Sequence, residues 1–330
     1  MLSKLKQYQI FWNLAGQLYH FLPNRRFKKM PQSIFIDVTN ACNLRCPVCP
    51  THLYMTRAKG FMDLDLFKSI IDEFKSIEVK PNIYMYFAGE PLLHPQIDEI
   101  VSYAEKNGHH VFISTNATVL TRELAAKLIK AGLTSIHLCL DGFSKQSHEA
   151  HRIESNFEEV KKNIENFLSV RRELNSSNPE VFIQTLITSY SENEMEDIKN
   201  WARNIGADAI NFKSLSLGSS TTAEQKIKYS YLLPSRDKFR RKSSHIYKTL
   251  CSWPRDNAVV YWNGDLGLCC IDFNGDIKMF NIKKDGFIKT FNSKEAVKIR
   301  KAGLQKRFNL CQRCSLSNAD FMGITIGFRK

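Results

Sequence analysis

Ser33-Ile34-Phe35-Ile36-Asp37-Val38-Thr39 is a strand-like apolar run, and it empties into Asn40-Ala41-Cys42-Asn43-Leu44-Arg45-Cys46-Pro47-Val48-Cys49, a loop that carries three cysteines. Structural zinc sites usually take their ligands in pairs and close a tetrahedron with four. A Cys-x3-Cys-x2-Cys loop with no fourth regularly spaced ligand fits instead a [4Fe-4S] cluster with one iron left free. A zinc ion completed by His52 or by a distant cysteine is the competing reading of the spacing alone. Three thiolates leave one metal position open, and an open position is where chemistry can take place.

Working outward, the chain repeats a strand-then-helix rhythm. Strand-like runs are predicted at Ser33 to Thr39, Ile83 to Phe87, Val111 to Ser114, Ser135 to Leu140, Val181 to Thr188 and Ala209 to Phe212. Helical patterns lie between them at Leu64 to Phe74, Ile97 to Lys106, Arg122 to Ala131, Phe157 to Leu174 and Glu194 to Ile205. Gly108, Gly132 and Gly206 end three of these helices, glycine being the residue that most easily takes the left-handed conformation of a helix stop. Six β/α units with near-continuous apolar strands predict an α/β fold with a parallel sheet curled as a partial (β/α)6 TIM-like barrel.

In such barrels reactive groups gather at the carboxyl ends of the strands. The cysteine loop follows the first strand, Gly89 and Glu90 the second, Ser114 and Asn116 end the third, and Cys139 and Asp141 end the fourth. Residues chosen for their chemistry therefore converge on one mouth.

Together with Ala88-Gly89-Glu90-Pro91, the cysteine loop resembles the signature of radical S-adenosylmethionine (radical SAM) enzymes. The resemblance implies that Cys42, Cys46 and Cys49 hold a [4Fe-4S] cluster whose free iron is chelated by SAM. It also implies that the Ala88, Gly89, Glu90 segment binds the SAM amino group, with Ala88 in place of a family glycine. Ser114, Asn116, Cys139 and Asp141 are expected around SAM, and Val48 stands where the family often has an aromatic residue. In a similar family stretch, an arginine corresponding to Arg152 meets the SAM carboxylate or the substrate, a task its bidentate fork suits.

A second group comprises Cys251, Cys269 and the pair Cys311-Gln312-Arg313-Cys314. With Gly264 upstream of Cys269, it resembles the SPASM or shortened twitch module, in the arrangement that holds one auxiliary [4Fe-4S] cluster. Four thiolates suit structural zinc as well. Side chains adjacent on a strand point to opposite faces, so Cys269 and Cys270 are not both expected to ligate. Cys270 is then either a buried thiol or a hydrogen-atom donor to a substrate radical. Lys213 ends the sixth strand and either grips an anionic substrate group or is solvated, and His94 reads as a loop-packing residue.

The organisation expected is a basic amphipathic helix over 1–32, the partial barrel over 33–215, a linker or flap over 216–250, and the auxiliary module over 251–330. The first helix either packs on the barrel or docks on anionic lipid. Asn263-Gly264 predicts a two-residue type I′ hairpin turn, and Ser293 the start of a helix running to about Lys301. With 330 residues, 43% hydrophobic and 24% charged, the chain can bury a sizeable core. No apolar run reaches membrane-spanning length and no signal peptide is evident, so a cytosolic protein with reduced thiols is expected.

A formal net charge of +14 favours an anionic partner. Zinc-dependent nucleic-acid binding, for which Tyr229, Tyr231, Phe239, Arg240 and Arg241 offer a little support, explains neither the three-cysteine loop nor Gly89 and Glu90. The resemblance implies that SAM is split to a 5′-deoxyadenosyl radical, with flavodoxin or ferredoxin as electron donor, and that a hydrogen atom is taken from the substrate. Oxidation follows if the auxiliary cluster accepts an electron, as in the aminocyclitol dehydrogenase of the family, and epimerisation follows if Cys270 returns a hydrogen atom. A small polar substrate such as a carbohydrate, a cyclitol or a nucleotide-linked sugar is expected, with peptide modification the alternative enzyme class.

Overall fold

The computed structural model describes residues 30–218, 221–241, 251–312, 314 and 323–328. Apart from its last three residues, the helix expected over 1–32 lies outside them. Six parallel strands stand in chain order: β1 (Ser33–Ile36), β2 (Asn82–Met85), β3 (Val111–Thr115), β4 (Ser135–Cys139), β5 (Glu180–Ile187) and β6 (Ala209–Ser214). Three more extend the sheet. β7 (Asn257–Val260) pairs parallel with β1, β8 (Leu266–Gly267) returns antiparallel on β7, and β9 (Gly323–Gly327) lies antiparallel on β6. The sheet stays open, with β8 and β9 as its two edges.

Helices α1 (Leu64–Asp72), α2 (Ile97–Lys106), α3 (Arg122–Lys130), α4 (Phe157–Glu173) and α5 (Met195–Asn204) make the crossovers. Asp63, Thr121 and Asn156 cap the first, third and fourth with side-chain oxygens that accept backbone N–H groups of the opening turn. Gly108, Gly132 and Gly206 take positive φ just past α2, α3 and α5, as expected of helix stops. On each strand one set of alternate residues, such as Ile34, Ile36, Ile83, Ile113, Leu138 and Phe212, is buried in a single core with the apolar helix faces. The other set lines the inner face of the sheet.

The C-terminal segment is fastened to the first β/α unit. Glu73 accepts the backbone N–H groups of Phe287 and Ile288 at 2.5 and 2.7 Å and so caps the short helix Phe287–Phe291. Arg57 donates to Asp37 Oδ2 at 2.9 Å and to the Phe273 carbonyl at 2.6 Å, with its guanidinium 4.2 Å from the centre of the Tyr261 ring. Buried Arg300, on α6 (Lys294–Leu304), donates to the carbonyls of Pro254 and Phe291. Ser293 accepts from Ala296 N–H and starts α6 where expected, and the helix runs three residues further than Lys301.

Two local expectations are corrected. The hairpin loop has three residues, because Tyr261 pairs with Asp265 and only Gly264 of the Asn-Gly pair takes positive φ, +88°. A left-handed glycine commonly closes such a loop, and Asn263 stays out of the positive-φ region that a type I′ turn requires. Cys269 and Cys270 do not lie on a strand, since β8 ends at Gly267 and a turn from Cys269 to Asp272 follows. Within the stretch read as a linker, Thr222 and Gln225 form a capping box on the short helix Ala223–Lys228, while 219–220 and 242–250 lie outside the described residues. No described helix is long and apolar enough to cross a membrane.

Candidate functional site

The ends of β1 to β4 lock to one another through buried polar groups. Glu90 is fully buried, and its carboxylate accepts from Leu92 N–H at 3.0 Å, Thr115 Oγ1 at 2.7 Å and Asn116 N–H at 2.7 Å. Burial pushes its pKa up, against the pull of those donors and of the Arg152 charge. Its own N–H donates to the Ala41 carbonyl at 2.8 Å, tying the second strand's end to the cysteine loop. Gly89, at φ +72°, is pressed against that loop, and a Cβ there would stand 2.5 Å from the Thr39 carbonyl oxygen and 2.6 Å from that of Ala41. Only glycine fits so close an approach in that conformation.

Asn116 closes the same ring from the third strand. Its Nδ2 donates to Asn43 Oδ1 at 3.0 Å, its Oδ1 accepts from Thr118, and Asn43 Nδ2 donates to Thr118 Oγ1 at 2.7 Å. Ser114 Oγ faces Cys139 Sγ at 3.6 Å. On the fourth strand, Asp141 accepts from Arg152 Nε at 2.6 Å, His151 Nδ1 at 3.0 Å and Leu186 N–H at 2.8 Å. Burial alone would raise the Asp141 pKa, but the Arg152 charge and the His151 hydrogen bond hold it well below the usual carboxylate range. Arg152 also feels the charges of Cys46 and Cys139, and Ile153 beside it accepts Arg45 N–H at 3.1 Å. His94 is a packing residue as expected, with Nε2 on the Met62 carbonyl and Nδ1 accepting Gln96 N–H.

The three loop cysteines are gathered at this ring, close enough for each other's charge to matter. Burial raises the Cys42 pKa, and it pushes that of Cys46 up to about 12 against the counter-charge of Arg152. Buried thiols of this kind carry charge only beside a strong cation, which is what a metal centre supplies. Cys49 donates its N–H to the Cys46 carbonyl and precedes the short helix Pro50–Leu53. The donor set fits an iron–sulfur centre with three protein ligands.

Cys251, Cys269, Cys311 and Cys314 meet at the other end of the chain. Burial and then the Cys269 and Cys314 charges push Cys251 up to about 11, and burial with the same two neighbours raises Cys311. Cys251 N–H donates to the Leu304 carbonyl, and Cys314 N–H to that of Cys311. The Cys270 thiol lies beside that of Cys269 and is the first cause of its pKa rising well above the thiol range, burial being the second. The expectation that the two point apart fails because a turn, unlike a strand, does not alternate its side chains. Among the described residues no three His, Cys, Asp or Glu side chains meet closely enough to hold a single ion. A cubane takes one thiolate per iron and asks for thiols gathered but apart.

The inner face of the sheet was not legible as an aromatic floor when the strands were read as continuous apolar runs. Phe35, Tyr84 and Phe112 stack across β1, β2 and β3, with ring centres 4.9 and 4.7 Å apart, and His137 meets Phe182 at 4.9 Å. Each is half-buried, and each sits in cross-strand register or one step from it. The available signal was one ring residue between aliphatic neighbours on each of five strands, at Phe35, Tyr84, Phe112, His137 and Phe182. Toward the mouth the face turns polar, through Cys139, Gln184, Asn211 and Lys213.

Comparisons with known proteins agree with this geometry. A family model described as the radical SAM superfamily matches residues 36–202, and one described as an iron–sulfur cluster-binding domain, SPASM, matches 251–315. The chain is 25% identical over 177 residues to the tungsten-containing aldehyde ferredoxin oxidoreductase cofactor-modifying protein of Pyrococcus furiosus, covering 54% of this chain and 49% of that one. It is 27% identical over 222 residues to the AdoMet-dependent heme synthase of Nitratidesulfovibrio vulgaris, covering 66% and 58%. The chain thus spans about half the length of the curated relatives it matches. Among solved structures, BtrN in complex with AdoMet and 2-DOIA has a similar fold, with a TM-score of 0.54 at 19% identity over 86% of this chain and 93% of that one.

Proposed function

The chain belongs to the radical SAM superfamily and carries a SPASM domain, and on that premise we propose that it takes a hydrogen atom from a small, polar, anionic substrate seated on the inner face of the sheet and oxidises it. The observation that carries this reading is the polar stretch formed by Gln184, Asn211 and Lys213, which adjoins Cys139 between the mouth and the aromatic floor. When bound, the N-terminal [4Fe-4S] cluster and SAM supply the radical, and an auxiliary [4Fe-4S] cluster supplies an electron acceptor.

In this reading Cys42, Cys46 and Cys49 hold the first cluster, and Cys251, Cys269, Cys311 and Cys314 the second. Ala88, Gly89 and Glu90 shape the SAM site, Glu90 and Asn116 by fixing the loops, Ser114 and Cys139 from the ends of the third and fourth strands, and Asp141 by holding Arg152. Arg152 orders that mouth through Asp141 and offers its remaining nitrogens to a carboxylate. Cys270, beside Cys269 in the auxiliary group, is the candidate hydrogen-atom donor for the competing outcome, epimerisation. A reducing, cytosolic setting with flavodoxin or ferredoxin as electron donor suits nine free thiols.

The test is to purify the protein without oxygen and incubate it with SAM and a reductant. Release of 5′-deoxyadenosine is expected, and hydroxylated acids or sugar phosphates should stimulate it. Stimulation by peptides alone would favour the maturase alternative, and a protein that holds iron and sulfide yet never cleaves SAM would end the reading.

A further inference from the structure

We propose that Lys213 and Arg241 form an oxyanion subsite at the mouth end of β6, which receives a carboxylate or phosphate group, while Gln184 beside them accepts a hydrogen bond from a hydroxyl of the same molecule. Calling that molecule the substrate rests on the reading above; the anion site itself stands on the residues.

Strand β6 sends Ile210, Phe212 and Ser214 into the helix-side core, so Asn211 and Lys213 lie on the inner face. The Ser214 hydroxyl donates to the Phe239 carbonyl, which brings the segment after it back to the strand's end, and Arg240 Nε donates to the Pro234 carbonyl at 2.6 Å. Arg241 follows directly, close enough for its charge to act on Lys213. Gln184 stands between Cys139 and Asn211 in the register, and its Nε2 reaches Cys139 Sγ at 3.5 Å.

Among the described residues Arg241 Nε, a donor on a cation, is buried without a partner, and Gln184 Oε1, an acceptor, has only the His137 ring within reach. Neither Lys213 nor Arg241 has a carboxylate in ion-pair reach among the described residues. Burial lowers the pKa of both cations; on Lys213 the Cys139 and Asp141 charges pull the other way, while the Arg241 charge adds to the fall. His137 is driven down to about 4 by burial and then by Lys213. Neighbouring half-buried cations with no carboxylate in ion-pair reach among the described residues are costly, and a bound anion removes that cost. The Gln184 acceptor beside them, with only the His137 ring in reach, has room for a donor that an oxyanion lacks, hence the hydroxyl. The aromatic floor would take the body of the molecule.

The experiment uses the full chain, purified without oxygen with its clusters in place. Calorimetric Tm is followed against inorganic phosphate in one series and acetate in another, each compared with chloride at equal ionic strength. Saturating stabilisation by at least one oxyanion is expected, and the series that saturates says whether the subsite takes phosphate or carboxylate; ion exclusion would instead rise without limit and equally in every variant. Lys213→Met and Arg241→Met should each weaken the response about tenfold or more, the worth of one charge-assisted hydrogen bond, whereas Lys213→Arg should retain it. Lys213→Gln serves if methionine at 213 does not give folded protein.

Absence of saturation with both anions overturns the proposal, as does an unchanged response in the methionine variants. With SAM saturating, the response should persist; if SAM abolishes it, the two cations belong to the cofactor's carboxylate and the proposal fails. Because this readout needs no turnover, a protein that binds the anion but never cleaves SAM would sink the radical reading alone.

Discussion

Arg152 Nε stands 2.6 Å from Asp141 Oδ2, and this buried pair joins the end of the fourth strand to the turn whose next residue, Ile153, holds the cysteine loop through Arg45. Removing one partner of such a pair strands the other charge away from water. Arg152→Met is therefore expected to cost about 3–5 kcal/mol, and adding Asp141→Asn should restore part of it. A double-mutant cycle in thermal unfolding checks this, and simple additivity would mean the two do not act together. The pH sign follows from the depressed Asp141 pKa: the pair's contribution is fully present above the ordinary aspartate value and is lost only as pH falls through the lower folded value. Arg152→Met should then move acid unfolding to higher pH.

Glu90 satisfies three donors at once, two of them backbone N–H groups. Glu90→Gln turns one accepting oxygen into a donor that meets another donor, and a loss of about 2–3 kcal/mol is expected. Equilibrium dialysis with SAM should show weakened binding alongside the lowered Tm. Wild-type values for both would remove Glu90 from the loop-fixing role.

Gly89→Ala places a methyl group 2.5 Å from the Thr39 carbonyl in a backbone conformation that alanine resists. Strain of about 1–3 kcal/mol is expected from the conformation alone. Since the cysteine loop must shift to make room, iron retained after anaerobic gel filtration should fall. Full iron content at wild-type Tm would contradict the close approach.

Asp37 has a pKa raised to about 6 by burial, with Arg57 and the backbone N–H groups of Ala88 and Trp262 pulling the other way. A carboxyl raised in the folded state contributes stability that is fully present below the unfolded value near 4 and is lost as pH rises through about 6. Asp37→Asn should flatten the dependence of Tm on pH across that window. An unchanged slope would assign the titration elsewhere.

Cys270→Ala should leave iron and sulfide content at wild-type level, because Cys269 remains as ligand, whereas Cys269→Ala should lose about one [4Fe-4S] equivalent. If Cys270→Ala also keeps full turnover with a stimulating substrate, Cys270 is no hydrogen-atom donor and the oxidative outcome stands.

The six parallel strands, five crossover helices and three glycine stops were legible in the chain, since aliphatic periodicity and stop residues act over a few neighbours. Both cysteine groups were legible for the same reason, spacing being a local property, and the rule that active groups sit at strand ends joined the Glu90, Asn116 and Asp141 positions to the first of them. What the linear chain did not disclose was what those side chains bind. Asn116 and Glu90 spend polar atoms on partners 26 and 73 residues away, and Asp141 holds Arg152 in a pairing that depends on where a turn folds back.

The auxiliary hairpin's place on β1, the return of β9 onto β6, the contact of Cys270 with Cys269 and the Arg241 Nε left without a partner among the described residues were likewise decided in three dimensions. Sequence by itself determined which residues could carry charge, bind metal or form a strand. Tertiary structure determined which of them were withdrawn from water and which found partners there, because desolvation and pairing depend on neighbours that chain order does not specify.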